Sequence, residues 1–551
     1  MRHARETRSR RPALVAAVAA LVIGSAVTAT ALDRSARSEP APVTSAPAPA
    51  PSTPAEPVGW GPTEEERAEA AQKAKDLTLK ELAGQLIVAR HFDNESSLAL
   101  IRDRHFAGAM VTGNRILDVT TSDPLATVTD FNDQMQAAGS ERGVPVMIPI
   151  DQEGGLVARL AAPLTPFPTF MSAGAAIAGD STSGAAAVTA AARASGAELR
   201  AAGFNTVFAP TSDITIGVDD PIIGSRSAGT DPQTVARAVV AAVDGYSEAG
   251  IISVAKHFPG HNVSTDSHKG LPILDSEENR FRNHDLVPFE AAIDVRVPGI
   301  MTGHLDVPLL DKGVPASMSR QVITTELRER MDFDGLVVSD SLGMGAVMKS
   351  YPGGKAAVEA VKAGSDVALM PADNLQAHDA MLEALRSGDL PEAQARASAA
   401  RTIAYLLHAD ASRELPGEPG SHLEEAVGLS AAAVTVVAEP CEDVPEPTSF
   451  RPIGSPDLVA AFVAAAKASD TSIGSGPVVQ LLGNTTAGGS ADIVVTTDRP
   501  YPLQNSRAAT KIALFGAGPP AMRALIDVLT GSTPAGGRLP VDGIDVQTCD
   551  S

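Results

Sequence analysis

At 551 residues the chain exceeds one ordinary domain and fits about two to four on length alone. A hydrophobic content of 44% with 20% charged residues describes a soluble globular protein and excludes a disordered one. A formal net charge of -22 argues against nucleic acid or an anionic membrane surface as the main partner. Aromatic residues make up only 3%, so the core has to be built mostly from Ala, Val, Leu and Ile.

The chain opens with Arg2, Arg5, Arg8, Arg10 and Arg11 ahead of an apolar, small-residue run from Ala13 to Leu32. That is the pattern of an export signal, with Ala29-Thr30-Ala31 as the cleavage site, so residues 1–31 are expected to direct the protein out of the cell. Ser9-Arg10-Arg11 leaves a twin-arginine route open, and a retained run would serve as a membrane anchor of marginal length. No cysteine lies near the segment, which argues against lipid attachment there. Residues 32–62 are rich in Pro, Ala and Ser, as in Ala46-Pro47-Ala48-Pro49-Ala50-Pro51, and read as a semi-extended spacer.

Folded structure is expected from Thr63, which with Glu66 forms a capping box; Thr78 and Glu81 repeat it. Short apolar runs then alternate with helical stretches: Gln85–Ala89, Gly108–Gly113, Val146–Ile150, Thr206–Ala209, Ile251–Ala255, Gly299–Thr302, Leu336–Ser339 and Val367–Met370. Eight strands separated by helices predict a parallel (β/α)₈ barrel of the TIM type over residues 63–410, with a doubly wound open sheet as the competing arrangement. Polar residues favour the barrel. Arg90-His91, Asn114-Arg115, Asp151, Asp213, Lys256-His257, His304, Asp340 and Asp373 follow the runs directly, and barrel enzymes build their sites from the C-terminal ends of the strands.

Pro416-Gly417-Glu418-Pro419-Gly420 marks a linker within residues 411–423. Residues 424–551 then read as a smaller α/β sandwich domain, with strands at Ala433–Ala438, Val478–Leu482, Ile493–Thr496 and Ile512–Phe515. Gly516-Ala517-Gly518-Pro519-Pro520 is read as a packing turn, because the two prolines remove N–H donors that a phosphate cradle needs. Cys441 and Cys549, the two cysteines, are most simply a disulfide in an exported chain; two unpaired buried thiols are the other reading.

The densest chemistry is Lys256-His257-Phe258-Pro259-Gly260-His261-Asn262-Val263-Ser264-Thr265-Asp266-Ser267-His268. The strand is expected to stop at Ala255, leaving the lysine, three histidines and the aspartate on a loop. Asp266 is two residues from His268, close enough to orient the imidazole and favour its protonated form, as a proton shuttle requires. Asp340, in Val337-Val338-Ser339-Asp340-Ser341-Leu342-Gly343-Met344, ends an apolar run and must find solvent, a partner or a substrate, unless it caps the next helix.

These segments resemble the bacterial β-N-acetylglucosaminidases of glycoside hydrolase family 3, whose signature is a Lys-His-Phe-Pro-Gly-His loop ending in Asp-Ser-His. The interval from Gly260 to Asp266 is one residue shorter here. The resemblance extends over nearly everything after residue 63, including Ala513–Val541 with its ending Gly537-Arg538-Leu539-Pro540-Val541. It implies a nucleophile at Asp340, in the Ser-Asp-x-Leu-x-Met motif, where relatives often carry a second aspartate in place of Ser341. It implies an acid/base at His268, oriented by Asp266. It also implies sugar-binding roles for Asp151 in Asp151-Gln152-Glu153-Gly154-Gly155, for Arg159, for Arg226 in Ile223-Gly224-Ser225-Arg226-Ser227, and for Lys256 and His257. Leu156 stands where relatives commonly have a basic residue.

The expectation is an exported, monomeric, cofactor-free retaining exo-β-N-acetylglucosaminidase. Its substrates would be terminal GlcNAc residues on small oligosaccharides or muropeptides. A β-glucosidase or a GlcNAc phosphorylase of the same family is the nearest alternative. A zinc hydrolase using His257, His261, Asp266 and His268 is disfavoured by Lys256, which would repel the cation. A non-catalytic wall-binding protein is disfavoured by the intact Asp340 and Asp266-x-His268.

Overall fold

The eight expected strands close into a ring. In the computed structural model, which describes residues 60–111, 123–160, 162–412, 417–438 and 447–544, they are β1 Ile87–Arg90, β2 Gly108–Met110, β3 Pro149–Ile150, β4 Thr206–Val207, β5 Ile252–Phe258, β6 Gly299–Thr302, β7 Leu336–Ser339 and β8 Ala368–Leu369. Parallel ladders join β8–β1–β2, β3–β4–β5 and β5–β6–β7. Parallel bridges Gly108–Met147 and Val338–Val367 close the two remaining seams. A closed ring has no edge, which rules out the open doubly wound sheet.

A helix follows each strand: Asn94–Arg104, Pro124–Glu141, Ser181–Ala201, Pro232–Glu248, Val287–Asp294, Gln321–Arg330, Lys355–Ala363 and Asn374–Ser387. Five of them start at an aspartate whose carboxylate accepts a backbone N–H of the first turn: Asp93, Asp123, Asp180, Asp231 and Asp373. Asp373, which the sequence places among the polar strand-end residues, is therefore a cap. Both Thr-Glu capping boxes form as expected. Trp60, assigned by composition to the spacer, already packs on Tyr405 and His408 and donates to Ser412 Oγ at 3.2 Å.

Side chains such as Val88, Met147, Phe208, Val254, Met301 and Val338 fill the inside of the ring. Each such burial contributes roughly 1.5–3 kcal/mol relative to exposure, which fixes the strand register. The C-terminal domain is a five-stranded sheet in the order β9–β13–β12–β11–β10, with β9 antiparallel and the others parallel. Its strands are β9 Thr435–Ala438, β10 Ser449–Ile453, β11 Ser472–Leu482, β12 Ile493–Thr496 and β13 Thr510–Ala513. β10 is not legible as a strand because Arg451 and Pro452 interrupt its apolar pattern; both are tolerated at a sheet edge. Helices Leu423–Ala433, Pro456–Ala468 and Pro519–Leu529 complete the domain, and the last follows the Gly516–Pro520 turn.

The export segment, most of the Pro/Ala spacer, Asn114-Arg115, Cys441 and Cys549 lie outside the described residues. Among the described residues no helix is long and apolar enough to cross a membrane.

Candidate active site

One expectation is corrected at the centre of the site. β5 does not stop at Ala255 but runs through Lys256 and His257 to Phe258, every residue of it buried. A lysine can lie within a buried strand only if its charge is met. Lys256 Nζ lies 2.8 Å from Asp151 Oδ1 and 2.6 Å from Glu153 Oε1. Asp151 follows β3, and Glu153 stands in the hairpin Gln152–Gly154/Val157–Ala158 just beyond it. The second charge of this cluster is Arg226, whose Nε and Nη2 each donate to Glu153 at 2.8 Å. Arg159 Nη2 is a longer 3.8 Å from Asp151 Oδ2.

This network sets its own protonation. Burial works to raise the Glu153 carboxyl, but Arg226 and Lys256 outweigh it and hold the group well below the usual carboxylate range. Burial likewise opposes the Lys256 ammonium, and Asp151 and Glu153 more than restore it. Lys256, Arg226 and Glu153 are thus held in the charged state along one wall of the cleft, with Asp151 beside Lys256.

His257 is held by a group the sequence reading did not assign a role. Asp213, fully buried after β4, meets His257 Nδ1 at 2.7 Å and accepts the backbone N–H groups of His257 and His261 at 3.0 and 2.7 Å. His257 lines the cleft, and with Nδ1 committed to Asp213 its remaining ring nitrogen is Nε2. Its strand-end position was the available signal, shared by His304.

Asp340 ends β7. Its amide donates to Thr302 O on β6 at 2.9 Å and its Oδ1 accepts the Ser341 amide at 2.6 Å. The helix that follows is only Gly345–Met348 and has no side-chain cap, so Asp340 is not an N-cap. Burial opposes ionisation of Asp340, yet His304, His257, the Ser341 amide and Lys256 hold its carboxyl below the usual range. His304 is itself pushed down by burial and is neutral near pH 7. Its Nε2–H donates to Ser341 O at 2.9 Å while Nδ1 accepts from the Ser317 hydroxyl at 2.7 Å.

His268 stands at the mouth, its side chain 73% exposed. Nδ1 lies 3.0 Å from Asp266 Oδ1, which also accepts the His268 backbone N–H at 2.9 Å. Despite the shortened loop, His268 and Asp340 line one cleft of about 430 Å³ together with Asp151, Arg159, Arg226, Lys256 and His257. Seven of the eight residues read from the sequence as catalytic or sugar-binding line that cleft, and the eighth, Asp266, reaches it only through the His268 ring that it holds. Glu153, Asp213 and His304 are the supporting groups that the sequence reading left unassigned.

The glycosyl hydrolase family 3 N-terminal domain model matches residues 78–405, the barrel that carries every one of these groups. The chain belongs to glycosyl hydrolase family 3. It is a glycoside hydrolase by that membership. It is 32% identical over 401 residues to a protein named beta-hexosaminidase LpqI of Mycobacterium tuberculosis, covering 69% of this chain and 93% of that one. It is 36% identical over 275 residues to beta-hexosaminidase A of Pseudoalteromonas piscicida, but that match spans 47% of this chain and only 46% of the relative. The solved β-N-acetylglucosaminidase of family 3 from Paenibacillus sp. FPU-7 superposes with a TM-score of 0.74 at 29% identity, over 85% of this chain and 99% of that one. The last coverage includes the C-terminal α/β domain as well as the barrel.

Proposed function

We propose that the protein is an exported, retaining exo-β-N-acetylglucosaminidase that removes terminal β-linked GlcNAc from peptidoglycan fragments or related short glycans. The observation that carries this reading is the convergence of Asp340 and the Asp266–His268 pair on one cleft walled by Asp151, Lys256, Arg226 and His257. The charged wall suits the hydroxyl groups of a non-reducing sugar, since carboxylates accept from them and Lys256 and Arg226 donate.

In the first step an Asp340 carboxylate oxygen attacks the anomeric carbon as the glycosidic bond breaks. His268 passes its Nε2 proton to the departing oxygen, because Nδ1 is turned to Asp266. Asp340 is suited to this step by its depressed pKa, which keeps it ionised. In the second step His268 takes a proton from water as the water oxygen bonds to the anomeric carbon, the ester to Asp340 breaks, and the sugar leaves with its configuration retained. A histidine leaves no second negative charge beside the nucleophile. Exposure of His268 at the mouth suits a group that must meet leaving groups of different size.

Hydrolysis of a panel of chromogenic β-glycosides tests the substrate class: the GlcNAc glycoside should be cleaved fastest, ahead of the glucose, xylose and GalNAc analogues. A preference for the β-glucoside would overturn it. Added phosphate should leave free GlcNAc as the product; GlcNAc 1-phosphate would make the protein a phosphorylase.

A further inference from the structure

Arg226 does not stand on a barrel strand but in the long loop between β4 and the helix Pro232–Glu248. The loop is ordered internally by Asp220, which is fully buried. Its Oδ2 accepts Thr215 Oγ1 at 2.8 Å, and its Oδ1 accepts the amides of Ile222 and Ile223 at 3.1 and 2.9 Å. Those two isoleucines line the cleft beside Arg226.

The outer side of this loop rests on the C-terminal domain. Asp498, buried at 6% exposure just after β12, accepts a hydrogen bond from the hydroxyl of Ser225, the residue before Arg226. Arg499 Nη1 donates to the Asp220 carbonyl at 2.9 Å. A second clamp grips the far end of the loop. The Thr230 amide donates to Pro540 O at 3.1 Å, and the Asp542 amide donates to Thr230 Oγ1 at 3.1 Å. Gly229, at φ +151°, sits so close that a Cβ would fall 2.3 Å from Pro540 O. Two separate segments of the C-terminal domain therefore hold the segment that carries a cleft arginine.

We infer that the C-terminal domain is a positioning element of the sugar site, with Asp498 acting through Ser225 and Arg499 acting through Asp220 to set the turn that presents Arg226. The inference rests on the reading of Arg226 as a sugar contact. Asp498 is a positioning residue: it touches no substrate, and its buried carboxylate serves to fix one hydroxyl and the backbone attached to it. Losing that bond leaves the reacting groups Asp340 and His268 in place, so it weakens ground-state and transition-state binding alike. Such a loss raises KM and spares kcat.

The test compares Asp498→Ala, Asp498→Asn and Ser225→Ala in the full chain on the best chromogenic glycoside. Asp498→Ala and Ser225→Ala should each raise KM about 10-fold with kcat within about 2-fold, the pattern of uniform binding loss. Asp498→Asn keeps an acceptor oxygen for Ser225 and should restore most of the KM. Backbone amides of residues 214–229 should exchange hydrogen faster in the Ala variants than in Asp498→Asn, without any substrate present. Ser225→Ala reads out the same bond if Asp498→Ala does not fold. Faster exchange with KM unchanged, a fall in kcat alone, or an Asn variant no better than Ala would each overturn the inference. The exchange arm is independent of substrate choice, so a wrong sugar assignment shows up in the glycoside panel and not there.

Discussion

Gly345 packs directly on the backbone carbonyl of His268: a Cβ at this position would lie 2.4 Å from that oxygen. One residue on, the Ala346 amide donates to Ser267 O at 3.1 Å. The segment just after the nucleophile and the loop bearing the acid/base are thus fastened to each other at backbone level. Gly345→Ala should push the His268 loop outward and lower kcat at least 10-fold while Tm falls by only a few degrees, because the contact is at the mouth and not in the core. Unchanged kcat, checked alongside circular dichroism, would mean the loop closes independently of Asp340.

Asp340→Ala should abolish nearly all turnover, by several orders of magnitude, and leave thermal unfolding near wild type. A fluoro-sugar that traps the covalent intermediate should mark Asp340 when the labelled peptide is sequenced. Labelling at Asp151 or Asp266 would refute the assignment.

The role of His268 shows in leaving groups. An activated nitrophenol departs without much help, so His268→Ala should slow bond cleavage far less on that substrate than on a disaccharide. The second step keeps its need for a base, so the intermediate should accumulate and a burst should appear. General acid–base assistance is typically worth about 10²–10⁴-fold, and Asp266→Asn should lose a smaller part of it. Equal losses on good and poor leaving groups, with no rescue by azide, would reassign His268 to binding or loop shape.

Glu153 couples the site to stability. Its folded-state pKa lies below its unfolded value, so its contribution is present above the unfolded value, near pH 4.5, and is lost as pH falls through the folded value. Glu153→Gln leaves Arg226 without its bidentate partner and should destabilise by about 3 kcal/mol at pH 7, in the range for breaking a buried pair. The gap in Tm between wild type and variant should shrink as the pH is taken from 7 toward 3. A gap of constant size across that range would mean the loss is packing alone.

Activity should survive exhaustive chelation. Lys256 occupies the centre of the histidine-bearing wall, and His257 Nδ1 is committed to Asp213. Loss of activity on chelation with recovery on added zinc would restore the metallohydrolase reading.

The alternation of apolar runs and helical stretches determined the barrel, because burial on both faces of a parallel strand forces the uninterrupted Val/Ile/Ala pattern that Ile251–Ala255 and Leu336–Ser339 show. Polar residues at strand ends marked Asp151, Lys256, His257 and Asp340, and local spacing alone paired Asp266 with His268. Other features were beyond the reach of local pattern. Lys256 could be read as a strand residue only once Asp151 and Glu153, from another strand end, were brought to its ammonium. Asp213 and His304 were visible as strand-end residues, but what they hold, His257 and the Ser341 carbonyl, depends on which strands are neighbours. The edge strand Ser449–Ile453 lacks the apolar alternation because an edge has less to bury. The grip of Asp498 on Ser225 joins residues 273 apart in sequence. Periodicity reports which face of an element is buried; which charge meets which is set only when the ring closes and the second domain docks on it.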